Sequence, residues 1–269
     1  MRQWFSSAIV GAAAVVVLLS LTSVPTAGQA SAFPRTSDGK PNLTGLWQAL
    51  NTAYWDIQNH AARQGPVIAL GAAYSVPEGA GVVEGNEIPY QPWALAQKKE
   101  NSEKALTLDP EIKCYLPGVP RATYMPYPFQ IVQTPTKILI AYEYANAARN
   151  IEMNNNDESP SDFWMGWSRG RWEKDTLVVN VTGFNEQTWF DRAGNFHSDA
   201  LHVVERYTPI DINHLMYDAT IEDPKVFTRS WKISMPLYRR IEKNAQLGEY
   251  LCVEFAEELL YGHLVKRAH

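Results

Sequence analysis

The residues best suited to proton chemistry lie together in His197-Ser198-Asp199-Ala200-Leu201-His202-Val203-Val204-Glu205-Arg206-Tyr207. Along an extended strand His202, Val204 and Arg206 share one face, and Val203, Glu205 and Tyr207 share the other. Whichever face lines a barrel interior sets ionisable groups beside apolar ones. Such surroundings move pKa values toward neutrality, which general acid–base catalysis requires. On that ground His197 and His202 are candidate acid–base residues, with Glu205 and Tyr207 as substrate contacts. The competing structural reading has His202 pointing outward to a neighbouring strand and His197 capping a turn. Glu143 is the one carboxylate in an otherwise apolar strand, and Arg149 follows shortly after it. A buried carboxylate needs a partner, so Glu143 reads either as a general base held by arginine or as half of an inter-strand ion pair. Arg121, behind Pro117-Gly118-Val119-Pro120, is positioned to meet an anionic ligand or to brace backbone carbonyls. Trp164 opens a tryptophan run (164, 167 and 172) that suits the wall of an aromatic-ligand pocket, although the same residues also fill cores.

Other chemistries are poorly represented. His197 and His202 have neither the i, i+4 spacing of a zincin helix nor the i, i+2 spacing of a strand pair, so no metal is expected. The glycine-rich nucleotide signatures are missing. Gly166-Trp167-Ser168-Arg169-Gly170 spells Gly-x-Ser-x-Gly, but a hairpin follows it where a nucleophile elbow would lead into a helix. The formal net charge of −5 comes without a basic run, which argues against nucleic acid and anionic membrane surfaces as partners.

The elements that must hold these residues are strands. Leu177, Val179 and Val181 alternate with polar neighbours, the pattern of a strand with one side in a core. Lys174-Asp175 joins that strand to the preceding one as a hairpin. Further strands are expected at Leu43–Trp47, Phe129–Gln133, Lys137–Tyr144, Ala200–Tyr207, His214–Glu222, Arg229–Pro236 and Glu249–Phe255. Trp93–Leu106, behind Pro92, is rich in helix formers and is expected to be one short helix. Residues 56–92 are dense in Gly, Pro and Ala and have no sustained period, so they form a long irregular arm. Roughly eight to ten antiparallel strands without crossover helices predict a mainly β protein, a barrel or a sandwich.

At the amino end Arg2, an apolar run over Ala8–Leu21 and Ala30-Ser31-Ala32 read as a cleavable secretory leader. That gives a leader at 1–32, an arm with the first strand and one helix at 33–112, and the antiparallel core at 113–269 in a single domain with the arm. The export predicted by the leader makes the two cysteines, Cys114 and Cys252, an expected disulfide. Two free thiols, one of them a nucleophile, is the alternative.

Gly45-Leu46-Trp47 resembles the Gly-x-Trp opening of lipocalin-like (calycin) barrels. More specifically, Cys114-Tyr-Leu-Pro-Gly-Val-Pro-Arg121, Tyr127–Pro135, Gly170–Val179, His197–Tyr207 and Thr220-Ile-Glu-Asp-Pro224 resemble a widespread family of secreted bacterial proteins. That resemblance spans about Leu43 to Phe255 and implies a leader, a single domain and a paired set of cysteines. It implies no catalytic residues and no substrate. The expectation is therefore an exported calycin-like antiparallel meander barrel with an arm across one mouth. It would act without a cofactor on a hydrophobic or aromatic small molecule by lyase, isomerase or hydrolase chemistry. Two rivals stand beside it, a carrier or sensor of such a molecule and an envelope protein that binds a partner.

Overall fold

A computed structural model describes residues 33–65 and 67–265; the leader expected at 1–32 and His269 lie outside them. Nine strands close into a barrel: β1 (Gly45–Ala49), β2 (Phe129–Gln133), β3 (Lys137–Tyr142), β4 (Ala148–Met153), β5 (Trp167–Glu173), β6 (Thr176–Thr182), β7 (His202–Asp211), β8 (His214–Glu222) and β9 (Trp231–Arg239). Each strand pairs with its sequence neighbours, and β9 closes on β1 through Trp47↔Arg239 and Ala49↔Leu237. The architecture is mainly β and compatible with a lipocalin-like barrel. It differs from the expected all-antiparallel meander at one seam, because β4 and β5 run parallel (Ile151↔Ser168, Met153↔Gly170). A parallel pair cannot be joined by a tight hairpin. Here residues 154–166, with Asn154 and Gly166 at positive φ, carry the chain back before β5 starts.

Two strand assignments change. Ala148–Met153 is a strand whose inward residues are Arg149, Ile151 and Met153; an arginine in the apolar register hides the alternation. Glu249–Phe255 is not a strand. With β9 already paired to both β8 and β1 there is no neighbour for it, and Leu251 and Val253 stay exposed. The segment is instead a strap, fixed by the Cys114–Cys252 disulfide (Cα–Cα 5.8 Å) and by Phe255 N–H donating to Ile112 C=O (2.7 Å). The hairpin at Lys174-Asp175 forms as expected, with Glu173 opposite Thr176 and Lys174 in the left-handed region.

The expected helix is split in two, α1 (Pro92–Glu103) and α2 (Ala105–Leu108), with α3 (Arg121–Tyr124) and α4 (Ala256–Tyr261) added as short turns of helix. Gly194 meets α1 at a distance only glycine allows: its φ is +88°, and a Cβ would stand 2.7 Å from the Lys98 carbonyl. No helix among the described residues is long and apolar enough to cross a membrane. The arm finds its place because β1 reaches only to Leu237, which leaves the first half of β9 with an open edge. Ser234 N–H donates to Val82 C=O (2.8 Å), Val83 bridges Ile233, and Ile57, Val82, Val83 and Ile88 are buried. An unpaired edge is a liability that native sheets cover.

Candidate active site

The face of β7 that turns inward carries Val203, Glu205 and Tyr207, so His202 and Arg206 point outward. Inside the barrel Glu205 does not stand alone. Arg149, from the facing side, donates through both terminal nitrogens to its two carboxylate oxygens, the Nη1–Oε1 bond being 3.3 Å. Tyr207 (3.0 Å) and Tyr217 (2.8 Å) donate their hydroxyls to the same Oε1. Desolvation works against the Arg149 charge, but Glu205 more than offsets it and holds the guanidinium protonated well above its ordinary range. Burial, and then Glu205, push the Tyr207 and Tyr217 phenols well above theirs. Four polar atoms in and around this cluster have no hydrogen-bond partner: Arg149 Nε, Tyr142 Oη, Thr123 Oγ1 and Ser168 Oγ. The cluster is sealed, however. Trp47, Phe129, Ile140, Val179 and Tyr217 around the interior are all fully buried.

Glu143 is not the partner of Arg149, which is committed to Glu205. It lies just beyond β3, where its carboxylate accepts from Gly248 N–H (2.7 Å) and so anchors the strap. His202 sits on the outer wall with Nδ1 3.1 Å from Glu222 and Nε2 3.4 Å from Asn180 Oδ1. His197 is buried between Phe184 and Phe190. Its Nδ1 donates to the Ser198 carbonyl (2.8 Å), and Nε2 lies 2.6 Å from Thr188 Oγ1, which donates to it when the ring is neutral. Trp164 lies near the surface with its ring tilted against Tyr115, centroids 4.7 Å apart. The two histidines, Glu143 and the Arg149–Glu205 pair therefore occupy four separate places.

His197 carries a pH prediction. Burial holds its pKa below 6.5, so the folded protein keeps it neutral while the unfolded chain protonates as pH falls through that value. Stability contributed by the buried neutral ring is present above pH 6.5 and is lost below it. In denaturant melts, the stability advantage of wild type over His197→Gln is expected to narrow as the pH is lowered from neutral toward the carboxylate range. An advantage that stayed constant would contradict the neutral assignment.

Arg121 leads to the cleft that joins chemistry to solvent. It is buried and forked onto Asp109 (2.9 and 3.2 Å), and it also donates to Glu111 (2.7 Å). Glu111 in turn lies 3.3 Å from Arg192 Nε, and Arg192 donates to Glu257 on α4, as Tyr74 also does. Charges of alternating sign thus run from the buried Asp109–Arg121 pair out to Glu257 on α4. Two cavities flank the outer end. One of about 160 Å³ is walled by Trp55, Val76 and Leu106 and also by Arg63, Gln64 and Ser102, and one of about 240 Å³ by Ile112, Tyr250 and Val253; Arg192 and Glu257 line both. Arg192 lies 4.7 Å over the Trp55 ring. Burial pushes the Glu257 carboxyl up to about 7, and burial, then the neighbouring phenol and carboxylate, push Tyr250 up to about 12.

Of this cleft the sequence reading held Arg121 and Cys252. It missed Arg192, hidden in the turn Asp191–Asn195, and Glu257, just past a stretch read as a strand. It also missed Asp191, fully buried, which accepts from Ile57 N–H (2.9 Å), Ala193 N–H (2.9 Å) and Asn195 N–H (3.1 Å). Burial, then Asp56, lift its carboxyl to about 6. Asp191 ties the arm to the loop that carries Arg192. The available signal was the aromatic density of the arm (Tyr54, Trp55, Tyr74), which needs a surface to cover. Among the described residues, no group of three His, Cys, Asp or Glu side chains could hold a metal ion.

The fold and this cleft define a closed nine-stranded β-barrel with an ionisable, aromatic-walled recess between its arm and a disulfide-tied strap. No protein-family model matches the chain, and no curated protein matches it.

Proposed function

We propose that the protein is an exported acid–base enzyme that acts on a small aromatic or hydroaromatic molecule in the cleft between arm and strap. The observation that carries this reading is the Arg192–Glu257 pair at the junction of two cavities, with Tyr74 donating to the same carboxyl; burial pushes that carboxyl up to about 7 against the pull of the arginine beside it. Such a carboxyl exchanges protons in either direction near neutral pH, the property a general acid–base group needs. Arg192 faces Glu257 and Glu111 through Nη2 and Nε and keeps Nη1 as a donor for an oxyanion or enolate formed next to the carboxyl. Trp55, Val76 and Leu106 supply the apolar wall. The smaller cavity, about 160 Å³, is close to the ~150 Å³ that holds a benzene ring in an engineered core, so one ring is the size of the reacting group. Proton transfer of this kind serves a lyase, isomerase or hydrolase, and these residues need no cofactor for it. The Cys114–Cys252 disulfide fits an oxidising compartment, periplasmic or extracellular, reached by way of the leader. The carrier reading needs an open lumen, and the fully buried interior side chains supply no support for one.

A thermal-shift screen of single-ring aromatic and terpenoid compounds tests the cleft. A ligand at about a hundred times its Kd should stabilise the protein by about 2.7 kcal/mol, and Arg192→Ala should remove the shift. If no compound raises the melting temperature, or if the shift survives in Arg192→Ala, the cleft is not the site.

A further inference from the structure

The arm carries a histidine whose two ring nitrogens both face acceptors. His60 Nδ1 lies 2.8 Å from the Gln58 carbonyl and Nε2 lies 3.0 Å from the Pro77 carbonyl, and the side chain is only 6% exposed. A carbonyl oxygen accepts and never donates. A neutral imidazole has one N–H and one bare lone pair, so it serves one of these oxygens and repels the other. Only the imidazolium donates to both.

The ring stands where the arm folds back on itself. Residues 60–63 and 76–79 form a narrow antiparallel ribbon. His60 and Gly79 exchange N–H···O=C bonds (both 3.0 Å), and so do Arg63 and Val76 (3.0 and 2.9 Å). Two strands alone are marginally stable in water, so a link between them at the base of the ribbon carries weight. The Nε2 bond to Pro77 is such a link, and the Nδ1 bond to Gln58 aims the ring at it. Gly79 admits the ring: a Cβ there would stand 2.7 Å from His60 Cε1 and 2.4 Å from Thr52 Oγ1. Beyond the clamp, Arg63, Gln64, Gly65 and Val76 form one wall of the smaller cavity. The charged groups around the ring are Asp56, Arg63, Lys98 and Glu78. Asp56 Oδ2 is 4.0 Å from Nδ1 and favours a charged ring, although Arg63 takes the same oxygen at 3.1 Å. Lys98 of α1 is turned to Gln58 Oε1 (3.0 Å), and Glu78, beside Pro77, is exposed.

We propose that His60 is a proton-operated clamp on the arm. Charged, it ties Gln58 to Pro77 and holds the ribbon, with its wall of the cavity, closed. Neutral, it releases one of the two carbonyls and the ribbon frays. The clamp goes beyond the reading of the cleft as an active site and does not rest on it. Its stabilisation is present while the ring is charged and is lost as pH rises through the ring's titration, the opposite sign to His197.

Hydrogen–deuterium exchange of the protein at about pH 5 and about pH 8, each rate divided by the intrinsic exchange rate at that pH, tests it. The Arg63 and Val76 amides bond across the ribbon and should lose about tenfold in protection at the higher pH. Amides of the β7–β8 pair should keep theirs. In His60→Gln, whose amide does not titrate, ribbon protection should be equal at the two pH values. The proposal is overturned if wild-type ribbon protection is equal at both, or if His60→Gln keeps the wild-type difference.

Discussion

Arg149→Met is expected to cost about 3–5 kcal/mol of unfolding free energy, because it strands a carboxylate in the barrel core. For a chain of this size that is a fall in Tm of about 6–20 °C. The magnitude follows from what the substitution leaves behind. Glu205 is fully buried and carries a charge that Arg149 neutralises from 3.3 Å or less. Tyr207 and Tyr217 would still donate to it, but two neutral hydroxyls do not cancel a charge. The pair as a whole is worth far less than either half suggests. Taking two ions out of water costs several kcal/mol each, and their attraction only roughly returns that. The double variant Arg149→Met, Glu205→Gln removes both charges and keeps an acceptor for the two tyrosines. It is expected to recover most of the loss. Melts of the single and double variants decide the matter: if the two are equally stable, the buried charge is not what the arginine is there to neutralise.

The same pair shows where sequence reasoning succeeds and where it stops. The period-2 alternation of β6, β7 and β8 assigned Leu177, Val203, Leu215 and Tyr217 to strands with one buried face, and the count of strands left a barrel or a sandwich, of which the barrel is the one that forms. Register between distant strands is not local information. Nothing near Glu205 announces that Arg149 will face it, and the nearer carboxylate in sequence, Glu143, was the natural partner to assign. The parallel seam was invisible for the same reason, since residues 154–166 carry no pattern of their own. Leu251 and Val253 alternate as strand residues do, but alternation only proposes a strand, and the open first half of β9 is already taken by the arm. The cleft was least legible of all. Its arginine lies in a turn, its carboxylate lies past the last expected strand, and only the disulfide and the arm bring them together. Histidines drew attention because their ordinary pKa is near neutral, whereas here burial confers that property on a glutamate.

Glu257→Gln is therefore the substitution with the largest expected effect on turnover, a loss of about 10²–10⁴-fold in kcat, the usual contribution of a general acid or base. The amide keeps the size of the side chain; its one oxygen can still accept from Arg192 and its NH2 can donate to the Tyr74 oxygen, so substrate affinity should change little. Two pH profiles separate catalysis from structure. With Glu257 as the base, the wild-type rate should fall as pH drops through about 7, where burial holds its pKa, and that limb should be missing from the residual activity of the variant. Stability should run the other way. A carboxyl whose folded pKa is raised above its unfolded value contributes stability at low pH and loses it as pH rises through the folded pKa. Wild type should consequently lose stability relative to Glu257→Gln between about pH 5 and 8, while it gains activity over the same range. A glutamate present only to hold the strap through Arg192 would give the opposite stability trend, with the variant weakest where the carboxylate is charged, and would leave the rate profile unmoved.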